Sequence, residues 1–308
     1  MKKTAFISVI GRANVGKSSL VNRIIGQKIS IVSSKPQTTR TRIMGVKTEG
    51  EIQYVFIDTP GFHIPHNKLG DNMIKAVKSG MTDVDAAILV VDCAAKFKFD
   101  PENIPQAEKE LLKSLKNRNI PCVLAINKID LLDEKDKLLE FISGYSDYFD
   151  FNSVVPVSAK KGDGINILES ELKTFAKPSE HYFSDDEYTD QPDRVIVSEI
   201  IREKILRLLK GEVPHGIAVD IERFFERDSK KNGEPIIEIE ATIICEKESH
   251  KGIIIGKGGE MLKKIGTYAR QDLESFFGTK CSVKLWVKVK EDWRNRSGII
   301  HTLGLDSE

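Results

Sequence analysis

The stretch from residue 1 to 176 alternates short apolar runs with polar segments of helical length, a pattern that predicts α/β structure with a mostly parallel sheet. The candidate strands are Ala5–Ile10, Gly45–Lys47, Tyr54–Ile57, Ala86–Val91, Cys122–Ile126 and Val154–Val157. Several are apolar at consecutive positions, as expected where helices cover both faces of a sheet. The character changes over Lys177–Asp193, where Pro178, Asp185, Asp186, Glu187, Asp190 and Pro192 interrupt any periodicity and read as a linker.

Beyond that point a helix is expected over Val195–Leu209, then two β-like runs, Gly216–Phe225 and Pro235–Cys245, with Asn232-Gly233 between them as a hairpin signal. A glycine-rich segment, a helix over Glu260–Phe277 and a strand over Cys281–Val289 complete an α-β-β-α-α-β order. In the last strand Val283, Leu285, Val287 and Val289 alternate with Lys284, Trp286, Lys288 and Lys290, so one face should be buried and the other basic. The expected division is an α/β domain at 1–176, a linker at 177–193, a second α+β domain at 194–296 and a tail at 297–308.

Composition narrows the class. The longest aliphatic run, Ala86–Val91, falls far short of the roughly 20 apolar residues a membrane helix needs. Lys2 and Lys3 precede an apolar stretch that runs into a glycine motif with no cleavage signal, so a cytoplasmic protein is expected. Cys93, Cys122, Cys245 and Cys281 lie too far apart for zinc spacing and read as buried thiols. The net charge of +1 conceals a local imbalance, because Lys247–Arg296 holds twelve Lys/Arg against six Asp/Glu.

Gly11-Arg12-Ala13-Asn14-Val15-Gly16-Lys17-Ser18 fits G-x-x-x-x-G-K-[ST] between a strand and a helix, the context a phosphate-binding loop requires. Glycines let backbone N–H groups wrap the phosphates, Lys17 neutralises their oxygens, Ser18 ligates Mg2+, and Ser19 follows at the helix start. Asp58-Thr59-Pro60-Gly61 ends a strand where a second acidic residue would hold the Mg2+ shell and the Gly61 amide would meet a γ-phosphate. In the polar loop Gln37-Thr38-Thr39-Arg40, Thr39 is favoured over Thr38 as the hydroxyl that completes that shell.

Asn127-Lys128-Ile129-Asp130 decides the base. The Asp130 carboxylate can accept from N1 and the exocyclic amine of guanine, whereas adenine would leave it desolvated and unpaired. Ser158-Ala159-Lys160, at another strand end, is placed to offer a backbone N–H to guanine O6. GTP and GDP are therefore the expected ligands.

Ile253-Ile254-Ile255-Gly256-Lys257-Gly258-Gly259 carries G-x-x-G between two helical stretches. Inside the α-β-β-α-α-β order it resembles a type II KH domain, whose loop clamps about four nucleotides of single-stranded nucleic acid. Lys263, Lys264 and Arg270, with Lys284, Lys288 and Lys290, are candidates to line the groove, and a solvated basic face is the competing reading for each. Trp286 and Trp293 either stack a base or pack, and Trp293, followed by Arg294, is the preferred stacking candidate.

With both halves in view, the chain resembles the Era family of P-loop GTPases. Glu199-Ile200-Ile201-Arg202-Glu203-Lys204 and Glu212-Val213-Pro214-His215 are similar to stretches of that family, and Ala13 stands where many members carry proline. The resemblance implies binding to the 3′ end of 16S ribosomal RNA, action in assembly of the 30S subunit, and hydrolysis of GTP. Phe62 occupies the position of the water-orienting glutamine of Ras-like enzymes. Relatives with asparagine at the Asn14 position imply K+ beside the phosphates, held by Asn14 and the neighbouring loop, and a plain loop-stabilising role for Asn14 stands beside that idea. His63 and His66 read as polar surface and Cys93 as core. Two other readings stay open: an RNA-binding scaffold with nucleotide as a structural ligand, and peripheral contact with the inner membrane surface through the basic C-terminal face.

Overall fold

The computed structural model describes residues 1–35, 37–62, 65, 67–94, 104–132, 135–211, 213–228 and 233–306. His63, His66, Glu212 and Asn232 lie outside them. The first domain runs β1 (Lys3–Ile10), α1 (Lys17–Ile25), β2 (Ile43–Glu49), β3 (Ile52–Asp58), α2 (Lys68–Ser79), β4 (Ala86–Asp92), α3 (Gln106–Arg118), β5 (Cys122–Asn127), α4 (Lys135–Tyr148), β6 (Ser153–Val157) and α5 (Ile165–Lys173). Its sheet has the order β2-β3-β1-β4-β5-β6, parallel except for β2 at the edge.

The unbroken apolar strands are explained by two cores. On one face Ile88 and Val90 pack with Leu20, Val21 and Ile24 of α1 and Leu168 and Leu172 of α5. On the other, Ala87, Leu89 and Val91 pack with Leu111, Leu112 and Leu115 of α3 and with Phe141 and Tyr145 of α4. Because successive side chains point to opposite faces, a strand sandwiched this way must be apolar at every position. In such a sheet the ligand crevice lies beyond the carboxyl ends of the strands, where the motifs sit.

The segment read as a linker is a strap on the sheet. Strand β4 pairs with β1 only over Ile7–Ile10, and β7 (Lys177–Pro178) takes up the freed edge at Lys3 and Thr4. Further along, the buried Gln53 side chain accepts from the N–H groups of Tyr182 and Phe183, and the N–H of Val46 donates to Tyr188. Hydrogen bonds and an edge-on contact of the Tyr182 ring with Phe6, not a periodic apolar face, pin this stretch, so its composition resembles a free connection.

The second domain runs α6 (Asp193–Leu208), β8 (Ala218–Asp228), β9 (Pro235–Cys245), α7 (Glu248–Ile255), α8 (Glu260–Phe277), β10 (Lys280–Val289) and α9 (Ser297–Thr302). Its sheet has the order β10-β9-β8, with β8/β9 antiparallel and β9/β10 parallel. Ile239, Ala241 and Ile243 bury against Ile200, Ile201 and Ile205 of α6 and Ile265, Ala269 and Leu273 of α8. A separate apolar cluster joins the domains: Leu69 of α2 packs with Ala218, Ile244, Trp293 and Ile300.

Candidate functional site

The phosphate loop is shaped by residues that tolerate left-handed backbone. Gly11, Asn14 and Gly16 have φ of 146°, 64° and 102°. A Cβ on Gly16 would lie 2.2 Å from the Asn127 side-chain nitrogen, so only glycine lets the loop approach the end of β5. Lys17 is buried, and its ammonium donates to the carbonyls of Gly11 and Arg12 at 3.1 and 3.0 Å. Burial pulls its pKa down to about 8, against the opposing pull of Asp58. Around it lies a cleft of about 350 Å3 lined by Ala13, Ser19, Thr39 and Gly61 among others.

Beside Lys17 the residues fit a divalent cation. Asp58 is fully buried and neither carboxylate oxygen has a hydrogen-bond partner of good geometry. Burial raises its pKa, and Lys17 with the nearby Ser18 and Ser30 hydroxyls only partly offsets this. An orphaned buried carboxylate is costly unless a cation answers it. The hydroxyls of Ser18 and Thr39 lie 2.9 Å apart, forming two more oxygen donors of the hard kind Mg2+ prefers. Thr38 is committed elsewhere, donating to the Lys35 carbonyl and pairing with Ser33, which leaves Thr39 as the available threonine.

The loops expected to read the base are joined as a ladder. Asn127 donates to the Val15 carbonyl at 2.8 Å and accepts from the Ala159 N–H at 3.0 Å. Lys128 donates to the Asn14 carbonyl at 2.9 Å and pairs with Asp92 at 2.5 Å. Ser158 donates to Asp130 at 2.7 Å, fixing the carboxylate, and Arg23 holds the carbonyls of Ala159 and Lys160. Thus three separate motifs converge on one rim.

Other expected residues take supporting positions. The Thr59 hydroxyl donates to the Val9 carbonyl, tying β3 to β1, and Pro60 is buried beside it. Arg12 turns its guanidinium to the buried Glu108. A Cβ on Gly61 would stand 2.5 Å from the Ala13 Cα, so glycine is required where the two loops meet. Phe62 donates its N–H to Gly11, while its ring packs with the core beneath. The Asn14 amide donates to the Ser34 carbonyl at 3.0 Å, linking the phosphate loop to the threonine loop.

What sequence reasoning missed is that the second domain grips the threonine loop. Arg202, on α6, donates to the Thr38 carbonyl, and Glu203 accepts from the Val32 N–H at 3.0 Å. Lys28 pairs with Glu203 and Asp272 at 2.7 and 2.9 Å, and Lys204 pairs with both as well. Arg40 donates to the carbonyls of Ile217 and His215. The signal in the sequence was Arg202-Glu203-Lys204, three consecutive charges that α6 buries beside Ile200, Ile201 and Ile205.

On the second domain, Gly256, Gly258 and Gly259 all have positive φ, at 74°, 60° and 83°, and lead into α8. Lys257 is exposed at the turn and Ile255 is half-buried before it. A groove of about 480 Å3 runs from Gly259 past Lys263 and Arg270 to Val283 and Leu285. The expected single basic groove is divided. Lys264 points along α8 to Tyr268 instead. Lys284, Trp286 and Lys288 are exposed on the open face of the sheet, opposite the side on which Val283 and Leu285 pack, because strand neighbours alternate.

Trp293 corrects the stacking expectation. Its exposure is 0%, its Nε1 donates to the Gly216 carbonyl at 3.0 Å, and the Arg40 guanidinium lies 5.7 Å from its ring centroid. No face is left for a base, so the residue locks the tail to both domains. Arg294 is likewise engaged, paired with Glu246 at 2.6 Å. The exposed tryptophan is Trp286.

Comparison with known proteins agrees with this geometry. Residues 6–128 match a family model described as 50S ribosome-binding GTPase, and residues 212–294 match a KH domain model. The GTPase Era of Clostridioides difficile is 44% identical over the whole of both chains, and that of Clostridium kluyveri is 46% identical over 99% of each. A variant of Aquifex aeolicus Era bound to GDP and AlF4- superposes with a TM-score of 0.92 at 34% identity, covering 99% of this chain and 100% of that one. Era in complex with MgGDPNP and nucleotides 1506–1542 of 16S ribosomal RNA also gives 0.92 at 34% identity, covering 100% of both chains. With a GTPase domain and a KH domain in one polypeptide and full-length identity of this order, the chain belongs to the Era family of GTPases.

Proposed function

We propose that this chain hydrolyses GTP and uses the nucleotide cycle to govern binding of single-stranded ribosomal RNA at the 3′ end of 16S rRNA during assembly of the 30S subunit. The observation that carries the reading is the buried, unpartnered Asp58 beside Lys17 and the Ser18–Thr39 hydroxyl pair. Bound Mg2+ would supply charge neutralisation of the β- and γ-phosphates. Ser18, Thr39 and Asp58 are the residues to hold it. Lys17 and the loop amides bind the phosphates, and Gly61 brings its N–H to the γ-phosphate. Asp130 selects guanine.

Because the Phe62 ring packs into the core, no side chain at that position orients water. We assign that deficit to the loop carrying Asn14, with K+ as the cation that answers the transition-state charge. The Asn14–Ser34 contact supports the reading, since it joins the two backbone segments that would surround such an ion. Turnover in KCl is expected to exceed turnover in NaCl at equal ionic strength, and equal rates would remove K+ from the account.

RNA belongs at the glycine turn and the adjoining groove, where Lys257, Lys263 and Arg270 meet the phosphates. The 16S fragment held by the structural relative supports this assignment. The domains proposed are 1–176 and 194–296, joined by 177–193. No helix among the described residues is long and apolar enough to cross a membrane. We propose a cytoplasmic location, with the Lys284–Lys288 face as the surface for any peripheral contact with the inner membrane. A turnover assay with and without a 3′-terminal 16S fragment tests the reading against a non-hydrolysing scaffold: conversion of GTP to GDP and inorganic phosphate supports the enzyme, and no conversion supports the scaffold.

A further inference from the structure

Thr39 can serve a metal only if the loop bearing it is held in place, and such loops come from the least stable part of a fold. Its partner groups in the first domain are few. The Thr38 side chain is spent on Lys35 and Ser33, and the Thr38 carbonyl belongs to the peptide plane that leads into Thr39. That carbonyl accepts from the guanidinium of Arg202, a residue 1% exposed. Arg202 is itself aimed by Glu199, whose two oxygens take Nε at 2.7 Å and the terminal nitrogen at 2.5 Å. A planar fork held by a carboxylate has little freedom to turn away. The Thr38–Thr39 peptide is thereby fixed from the second domain, and the Thr39 hydroxyl stands 2.9 Å from Ser18.

We propose that Arg202 is a positioning residue for the triphosphate state: by holding the Thr38 carbonyl it sets Thr39 for the Mg2+ and γ-phosphate, so discrimination between GTP and GDP depends on α6. It touches neither nucleotide nor metal and acts through Thr38. The inference rests on the assignment of Thr39 above. GDP lacks the γ-phosphate that recruits Thr39, so its affinity is independent of Arg202, whereas a triphosphate analogue loses the preorganised contact.

The test is equilibrium binding of labelled GDPNP and GDP, in Mg2+, to full-length wild type, Arg202→Gln, Arg202→Lys and Glu199→Gln. Arg202→Gln is expected to weaken GDPNP by about tenfold, the scale of one charged hydrogen bond, with GDP unchanged. Arg202→Lys should recover part of the loss, because it keeps the charge without the fork. Glu199→Gln, which leaves the guanidinium but loosens its aim, should lower the GDPNP-to-GDP ratio in the same direction. An unmoved ratio in wild-type-like, GDP-binding variants overturns the proposal, as does equal loss of both nucleotides in Arg202→Gln and Glu199→Gln. Wild type that binds neither nucleotide overturns the underlying nucleotide site instead.

Discussion

The side-chain nitrogen of Asn127 lies 2.8 Å from the main-chain carbonyl oxygen of Val15, so the end of β5, proposed to read the base, braces the loop proposed to hold the phosphates. The same side chain accepts from Ala159 on a third segment. Asn127→Ala removes both bonds and strands the buried Val15 carbonyl. GDP affinity is expected to fall by about 2 kcal/mol or more, roughly thirtyfold, since each lost buried partner costs about 1–3 kcal/mol. Calorimetric titration with GDP checks this, and the loss should reach guanine and phosphate contacts together.

Lys17 should make nucleotide binding depend on protons. With burial holding its pKa near about 8, part of the free protein carries a neutral amine at mildly alkaline pH. Phosphate favours the ammonium, so binding should take up a proton as pH rises through about 8, and affinity should decline above it. Titrations in buffers of different ionisation enthalpy should show uptake near zero at pH 6.5 and approaching one proton above that midpoint.

The clamp between the domains should fail in acid. Burial alone would raise Glu203, but hydrogen bonds from Lys28, the Val32 N–H and Lys204 bring its pKa below the ordinary 4.5. Burial likewise opposes Asp272, which Lys204 and Lys28 bring below 3.8. A carboxylate depressed in the folded state stabilises fully above its unfolded pKa and loses that contribution as pH falls through its folded value. Melting temperature should therefore drop below about pH 4.5, and Glu203→Gln should flatten that limb while lowering stability at neutral pH.

At the glycine turn, Gly256 has φ of 74° and ψ of 174°, and an added Cβ would lie 2.7 Å from the Met261 Cβ. Gly256→Ala must displace the turn or α8, a strain of about 1–3 kcal/mol. Affinity for a 3′-terminal 16S fragment is expected to fall by about tenfold with GDP affinity unchanged, measured by filter binding and titration on the same preparation.

What could be read in advance followed from local rules. The phosphate loop, Asp58, Asn127 and Asp130 are bound to strand ends by spacing, and the glycine turn announces itself because three glycines must take positive φ. Trp293 could not be placed this way, since whether an indole stacks or packs depends on Leu69 and Ile300, which are distant in sequence. Lys288 and Lys263 read as one basic surface along the chain, but the sheet separates them. The strap over Lys177–Pro178 and the grip of Arg202 on Thr38 arise from hydrogen bonds to main chain, which leave no periodic trace.

Asp130, aimed by Ser158, is the residue proposed to tell guanine from adenine, at a site where Lys17 and Mg2+ are proposed to hold the phosphates. Equilibrium binding of labelled GDP and ADP to the intact protein with Mg2+ tests it directly. GDP should bind tightly, with a preference over ADP of about a thousandfold or more, the penalty for leaving a site's polar groups unpaired. Comparable affinities for the two, or no binding of either, would contradict it.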